Sequence, residues 1–187
     1  MKLKIITQNE FDNLPLNSLG LKEVPSFCDL SQIKSFGKGC SFGKGCSFGE
    51  RCSFGEWCSF GEWCSFGNGC SFGEWCSFGK GCSFGERCSF GEWCSFGNGC
   101  SFGEWCSFGE GCKLTGLEIR GYCAADRIGT SKRKLYCWNL EGEIYFQTGC
   151  FWGRKKELLE RVNSEYPKGS EYHLTINFLS KLIKLKK

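Results

Sequence analysis

From residue 35 to residue 112 the hydrophobic and polar positions repeat every six residues without a gap, as thirteen copies of Ser-Phe-Gly-x-x-Cys. Across each junction Cys-Ser-Phe runs apolar, polar, apolar, the two-residue alternation of a strand with one buried face. Phe and Cys therefore point inward and Ser points outward. The following Gly-x-x supplies a corner. Gly recurs at the third corner position, where a positive φ is tolerated by Gly and a few polar residues. A strand and a corner repeated at a fixed short period is the signature of a solenoid.

Composition removes several alternatives. Cys (17), Phe (18) and Gly (27) make up a third of the 187 residues. So much Cys suggests a secreted disulfide scaffold, but residues 1–10 lack the apolar run of a signal peptide. No stretch approaches the roughly 18 apolar residues of a membrane span. The expectation is a cytoplasmic chain with reduced thiols and no membrane contact. Stacked coils would place equivalent Cys about 4.8 Å apart, whereas a disulfide wants Cβ atoms about 3.8 Å apart, so bridging would strain every coil. Structural zinc sites use Cys pairs two to four residues apart. Here the intervening gap is always five, so no metal or other cofactor is expected and the thiols are assigned to packing. Disordered Phe-Gly tracts avoid Cys and Trp, which argues against a chain without a fold.

Units such as Phe66-Gly67-Asn68-Gly69-Cys70-Ser71 resemble the hexapeptide repeat of left-handed parallel β-helices, with a bulky apolar residue first, Gly second and a small residue fifth. The resemblance implies three hexapeptides per triangular coil. It departs from the family in using Phe where Ile, Val or Leu is usual, which implies a swollen cross-section. The expected fold is mainly β: a left-handed β-helix of about four coils over residues 35–112, an N-terminal strand and cap over 1–34, and a basic α+β module over 113–187.

If a coil is eighteen residues, positions eighteen apart stack. One edge then carries Gly39, Trp57, Trp75, Trp93 and Gly111, beside Lys38, Glu56, Glu74, Glu92 and Glu110. The other two edges are mixed. Like charges opposite one another are unfavourable, and a row of exposed Trp marks an interface. Trp57, Trp75, Trp93, Glu56, Glu74 and Glu92 are therefore candidates for docking a partner with basic and apolar surface. The alternatives are that the C-terminal segment folds back over this edge, that the stacked Trp shield the corners, or that repeat slippage made the columns.

In the flanks, residues 2–7 alternate like a strand. Val24 and Leu30 fall on the Phe phase and Cys28 on the Cys phase, as in an imperfect first coil. Residues 117–123, 134–139 and 144–151 have strand character, with Glu141-Gly142 as a hairpin turn. Gly153 is expected to open a helix carrying Leu158, Leu159, Val162 and Tyr166, stopped by Pro167 and Gly169. A last helix over about 170–185 places Tyr172, Ile176, Leu179 and Ile183 on one face. Residues 138–157, with Gly-Cys-Phe-Trp-Gly before a charged helix, look similar to a small module of gut-bacterial and phage proteins, a resemblance that brings no activity.

Net charge is zero over 1–34, −3 over 35–112 and +7 over 113–187. Lys132, Arg133 and Lys134, and Arg154, Lys155 and Lys156, are basic clusters that can meet phosphate backbones or solvent. Hexapeptide acyltransferases use a His near the coils and the family's carbonic anhydrases use three. This chain has one, His173, and no loop leaves the repeat. Cys150 has no companion His and Asp pattern, and no phosphate loop is present. The expected role is a non-enzymatic interaction or scaffold protein, in a narrower form a phage or mobile-element inhibitor of a host protein. Nucleic-acid binding or phosphate mimicry is the alternative, followed by an acyltransferase relative. Outward Ser and bulky charged corners fit ice binding poorly. A homo-oligomer is compatible with all of these.

Overall fold

The computed structural model describes residues 3–103, 105–128, 133–148 and 151–185. The chain divides into two compact units, Met1–Gly116 and Leu117–Lys187. The first is a β-solenoid of stacked parallel coils. Every unit contributes a short strand such as Ser77–Phe78, and strands eighteen residues apart pair in parallel with Ser on Ser and Phe on Phe, as in Ser59, Ser77 and Ser95. Three such ladders form three faces. With the flanking pairings the stack amounts to about five turns: Lys22–Val24 pairs with Cys40–Phe42 before the repeat begins, and Lys113–Leu114 pairs with Ser95–Phe96 after it ends. Val24 and Leu30 stand in the Phe phase and are buried, as is Cys28.

The interior is a triple stack of phenylalanines. Phe78 lies nearly parallel to Phe60 and Phe96, with centroids 4.8 and 4.9 Å away, and edge-on to Phe72 and Phe84 at 4.9 and 5.0 Å. Parallel neighbours along a column and perpendicular neighbours across it are both favourable quadrupole geometries. Flat rings thus fill the triangle where branched aliphatics would otherwise stand.

Each corner closes with backbone hydrogen bonds between coils. The Trp57 N–H donates to the Glu74 carbonyl at 3.0 Å. The Gly79 N–H donates to the Phe60 carbonyl at 2.8 Å. Thiols complete the pattern, with Cys82 Sγ donating to the Gly61 carbonyl at 3.3 Å and Cys94 Sγ to the Gly73 carbonyl at 3.3 Å. The small residue of the repeat is therefore a hydrogen-bond donor as well as a filler.

The N-terminal end differs from the expected strand over 2–7. Among the described residues the paired strand there is Lys4–Ile5, against Cys28–Asp29, and a helix follows at Gln8–Asp12. Its cause is legible in Thr7-x-x-Glu10, a capping box: Thr7 N–H donates to Glu10 Oε2 at 2.8 Å and Thr7 Oγ1 accepts from Glu10 N–H at 3.3 Å. The helix places Phe11, buried, edge-on to Phe36 at 5.1 Å, so it continues the aromatic stack over the first Phe. Lys22 Nζ secures it by donating to the carbonyls of Phe11 and Asp12 at 3.0 and 2.9 Å.

The second unit is an antiparallel sheet of Leu117–Ile128, Arg133–Leu140, Glu143–Thr148 and Phe151–Arg154, with helices Lys155–Glu165 and Glu171–Leu185. Glu141 and Gly142 both have positive φ, as a two-residue hairpin turn requires. Leu158 and Val162 of the first helix and Tyr172, Ile176, Leu179 and Ile183 of the second pack with Cys123, Leu135, Cys137 and Phe146 of the sheet. Gly153 does not open the helix. It pairs with Phe146 in the last strand, where an added Cβ would run into the Glu157 carboxylate and, at 2.9 Å, the Phe151 ring. The helix begins two residues later, with Arg154 N–H donating to Glu157 Oε2 at 2.7 Å.

Candidate docking edge

The third corner position takes φ near +60° throughout the repeat, whatever residue stands there. Glycine occupies it in six copies. In the others Trp57, Trp63, Trp75, Trp93, Trp105, Arg51 and Arg87 adopt φ between +55° and +61°. The expectation that a positive φ is tolerated only by Gly and a few polar residues therefore fails at the five tryptophans. A left-handed conformation costs a residue with a Cβ about 1–2 kcal/mol, so tryptophan here works against the corner it occupies. The glycines sharing the position were the signal.

On one edge the tryptophans stack. Trp57 and Trp75 lie 5.2 Å apart at 4°, and Trp75 and Trp93 5.5 Å apart at 11°. Each ring leans toward the next coil: a Cβ at Gly111 would meet the Trp93 ring, as one at Gly81 would meet Trp63. The stack stays open to solvent, with Trp57 59% exposed and Trp75 and Trp93 each 44%. Beside it Glu56, Glu74 and Glu92 are exposed and rise one coil at a time. Among the described residues none of these three forms an ion pair. The six residues singled out in the sequence thus form one edge: an aromatic ribbon against a column of carboxylates.

Trp75 and Trp105 mark the extremes of burial among the corner tryptophans. Trp75 has more than half its surface covered, on the order of 100 Å², or about 2–3 kcal/mol, and two stacking partners add about 0.5–1.5 kcal/mol each. These outweigh the strain. Trp105 is 78% exposed at φ +61°, so strain dominates there. Trp105→Gly is expected to raise stability by about 1 kcal/mol and Trp75→Gly to lower it by about 2 kcal/mol, measured by urea unfolding.

The basic residues are not gathered in this way. Lys132 lies outside the described residues, and Arg133 is placed by its backbone at the start of a strand. Lys134 Nζ stands 5.6 Å from the Tyr136 ring centre. Arg154 lies 3.6 Å from Glu143 and over Tyr145. Lys155 Nζ donates to Asn177 Oδ1 at 2.8 Å, and Lys156 is exposed. His173 spans the two helices, bonded to Ser170 Oγ through Nδ1 and to Asn163 Oδ1 through Nε2, both at 2.8 Å. Cys150 lies outside the described residues. A cleft of about 30 Å³ lies beside Thr148, Arg161 and Tyr172. Among the described residues no three His, Cys, Asp or Glu converge on a point that would chelate a metal, and no helix is long and apolar enough to cross a membrane.

No protein-family profile, curated protein or solved structure matches the chain.

Proposed function

We propose that the protein is a non-enzymatic interaction protein whose solenoid presents the Trp57, Trp75, Trp93 and Glu56, Glu74, Glu92 edge to a protein partner with basic and apolar surface. The observation that carries this is tryptophan at a left-handed corner, stacked in register and left exposed beside like charges. The left-handed backbone and the column of like charges each work against the solenoid alone, and the stacking that repays the strain at Trp75 still leaves the rings open to solvent. Large exposed aromatics anchor interfaces, and carboxylates beside them select a cationic partner and speed its approach. The nucleic-acid reading is less favoured, because Arg154 and Lys155 already have partners inside their own unit.

The test compares three baits: the parent, Trp105→Gly and a triple variant. Trp57, Trp75 and Trp93 replaced together by Gly, the residue that fills other corners, keeps the backbone conformation and removes the ribbon. Proteins captured by the parent and by Trp105→Gly should be lost from the triple variant, and their recovery should fall as salt rises. Identical capture by all three baits would refute the docking edge.

A further inference from the structure

The last helix, Glu171–Leu185, carries apolar residues on two opposite faces. Tyr172, Ile176, Leu179 and Ile183 pack into the core of their own unit. Leu174 and Phe178, four residues apart and so on one face, point the other way and are 66% and 61% exposed. A helix that is apolar all round is normally buried, so this outer face calls for a cover. Cations run beside it. Lys181 continues the row one turn on, while Lys184 and Asn177, the latter holding Lys155 Nζ at 2.8 Å, follow along one side. Lys181 and Lys184 are exposed, and among the described residues neither forms an ion pair.

We infer, on the docking-edge reading, that the occupant of the tryptophan and glutamate edge is this helix face of a second copy of the chain. The chemistry of the two surfaces is complementary. The edge sets an aromatic row beside a column of carboxylates, and the helix sets an apolar row beside cations. Net charge of −3 over 35–112 and +7 over 113–187 favours the approach of one region to the other. Each copy carries both halves, each open to solvent in the single chain, so identical chains suffice.

Register singles out a helix as the shape that fits. Successive rings of the ribbon stand 5.2 and 5.5 Å apart, and an α-helix rises about 5.4 Å per turn. A helix laid along the ribbon therefore presents one turn to each ring without drifting, through Leu174, Phe178 and Lys181 in succession. An extended segment repeats its side chains on one face every 6.6 Å or about that, and falls out of step within two rings. The contact is heterologous: two copies that exchange it reciprocally close a dimer, and any other arrangement propagates a chain.

Exchange of charge on the full folded chain tests the contact. Edge reversal replaces Glu56, Glu74 and Glu92 by Lys, and helix reversal replaces Lys181 and Lys184 by Glu. All five residues are exposed, so circular dichroism should stay parent-like. In sedimentation velocity under reducing conditions the parent should associate as its concentration rises, and less as salt rises. Each reversal alone opposes like charges and should weaken association about tenfold or more. An equimolar mixture of the two variants restores opposite charges at every contact between unlike copies and should recover parent-like association. If either reversal fails to fold, Phe178→Ser, which removes the apolar anchor and no charge, carries the comparison and should weaken association about tenfold. A parent that stays monomeric at every concentration, whether or not its own helix covers its edge, overturns the inference, as does a mixture no more associated than its components. The docking edge is judged separately: proteins whose capture still depends on Trp57, Trp75 and Trp93 while the parent is monomeric would leave that edge to a different partner, and unchanged capture would remove both.

Discussion

Gly73→Ala is expected to lower the stability of the solenoid by about 3 kcal/mol or more, although it adds one methyl group at a surface corner. The new Cβ would lie 2.7 Å from the Glu56 nitrogen and 2.8 Å from the Gly55 carbonyl carbon of the preceding coil. Both are backbone atoms held in the ladder, so no side chain can swing aside. The coils would have to separate, stretching bonds such as Gly73 N–H to the Phe54 carbonyl, now 2.9 Å. Overpacking in a compliant core costs about 1–3 kcal/mol, and a backbone-to-backbone collision belongs above that range. Gly69→Ala is the control. Its φ is +68° and its nearest neighbour, Arg51 Cγ, is 3.6 Å away, so conformation alone acts and the loss should be about 1 kcal/mol. Urea midpoints of the two variants check the ordering. Equal losses would show that close approach is not why the first corner residue is glycine.

Phe78→Ala should cost about 4–5 kcal/mol, the upper end for a large-to-small core change. Phe78 is 4% exposed and touches six other rings, two face-on and four edge-on. Removing it deletes apolar burial and leaves a void that the rings above and below cannot fill, because their backbones are fixed in register. Phe78→Leu keeps much of the volume and should cost about 1.5–2 kcal/mol. Calorimetric or chemical unfolding in which the Ala variant loses less than the Leu variant would contradict the stacked-ring core.

The period made the solenoid legible, because a six-residue repeat fixes which side chains point inward, and Val24, Cys28 and Leu30 could be placed by phase alone. The faces of the two helices were legible for the same reason, at 3.6 residues per turn. Other features were hidden by competition between local signals. The alternation over residues 2–7 obscured the capping box that starts a helix at Gln8. Gly153 resembled a helix start but serves a strand that approaches Phe151 and Glu157 closely. At the candidate edge, residue numbers alone gave the stacking of Trp57, Trp75 and Trp93. Their left-handed backbone was not visible without comparing each tryptophan with the glycines at the same position of other units.

Parallel pairing at an interval of eighteen residues has a consequence for how such a chain can change length. Gain or loss of a single hexapeptide leaves Phe on Phe and Cys on Cys, so the interior does not register the event. Every downstream corner, however, advances by one edge, so an event between Trp57 and Trp75 would part Trp75 and Trp93 from Trp57. Only a change of three units, or a multiple of three, preserves both interior and edge. Residues 41–61 recur identically at 77–97, an offset of two full coils. Duplications of that size can lengthen the ribbon without scrambling it, whereas slippage by one unit within it breaks it while the fold persists.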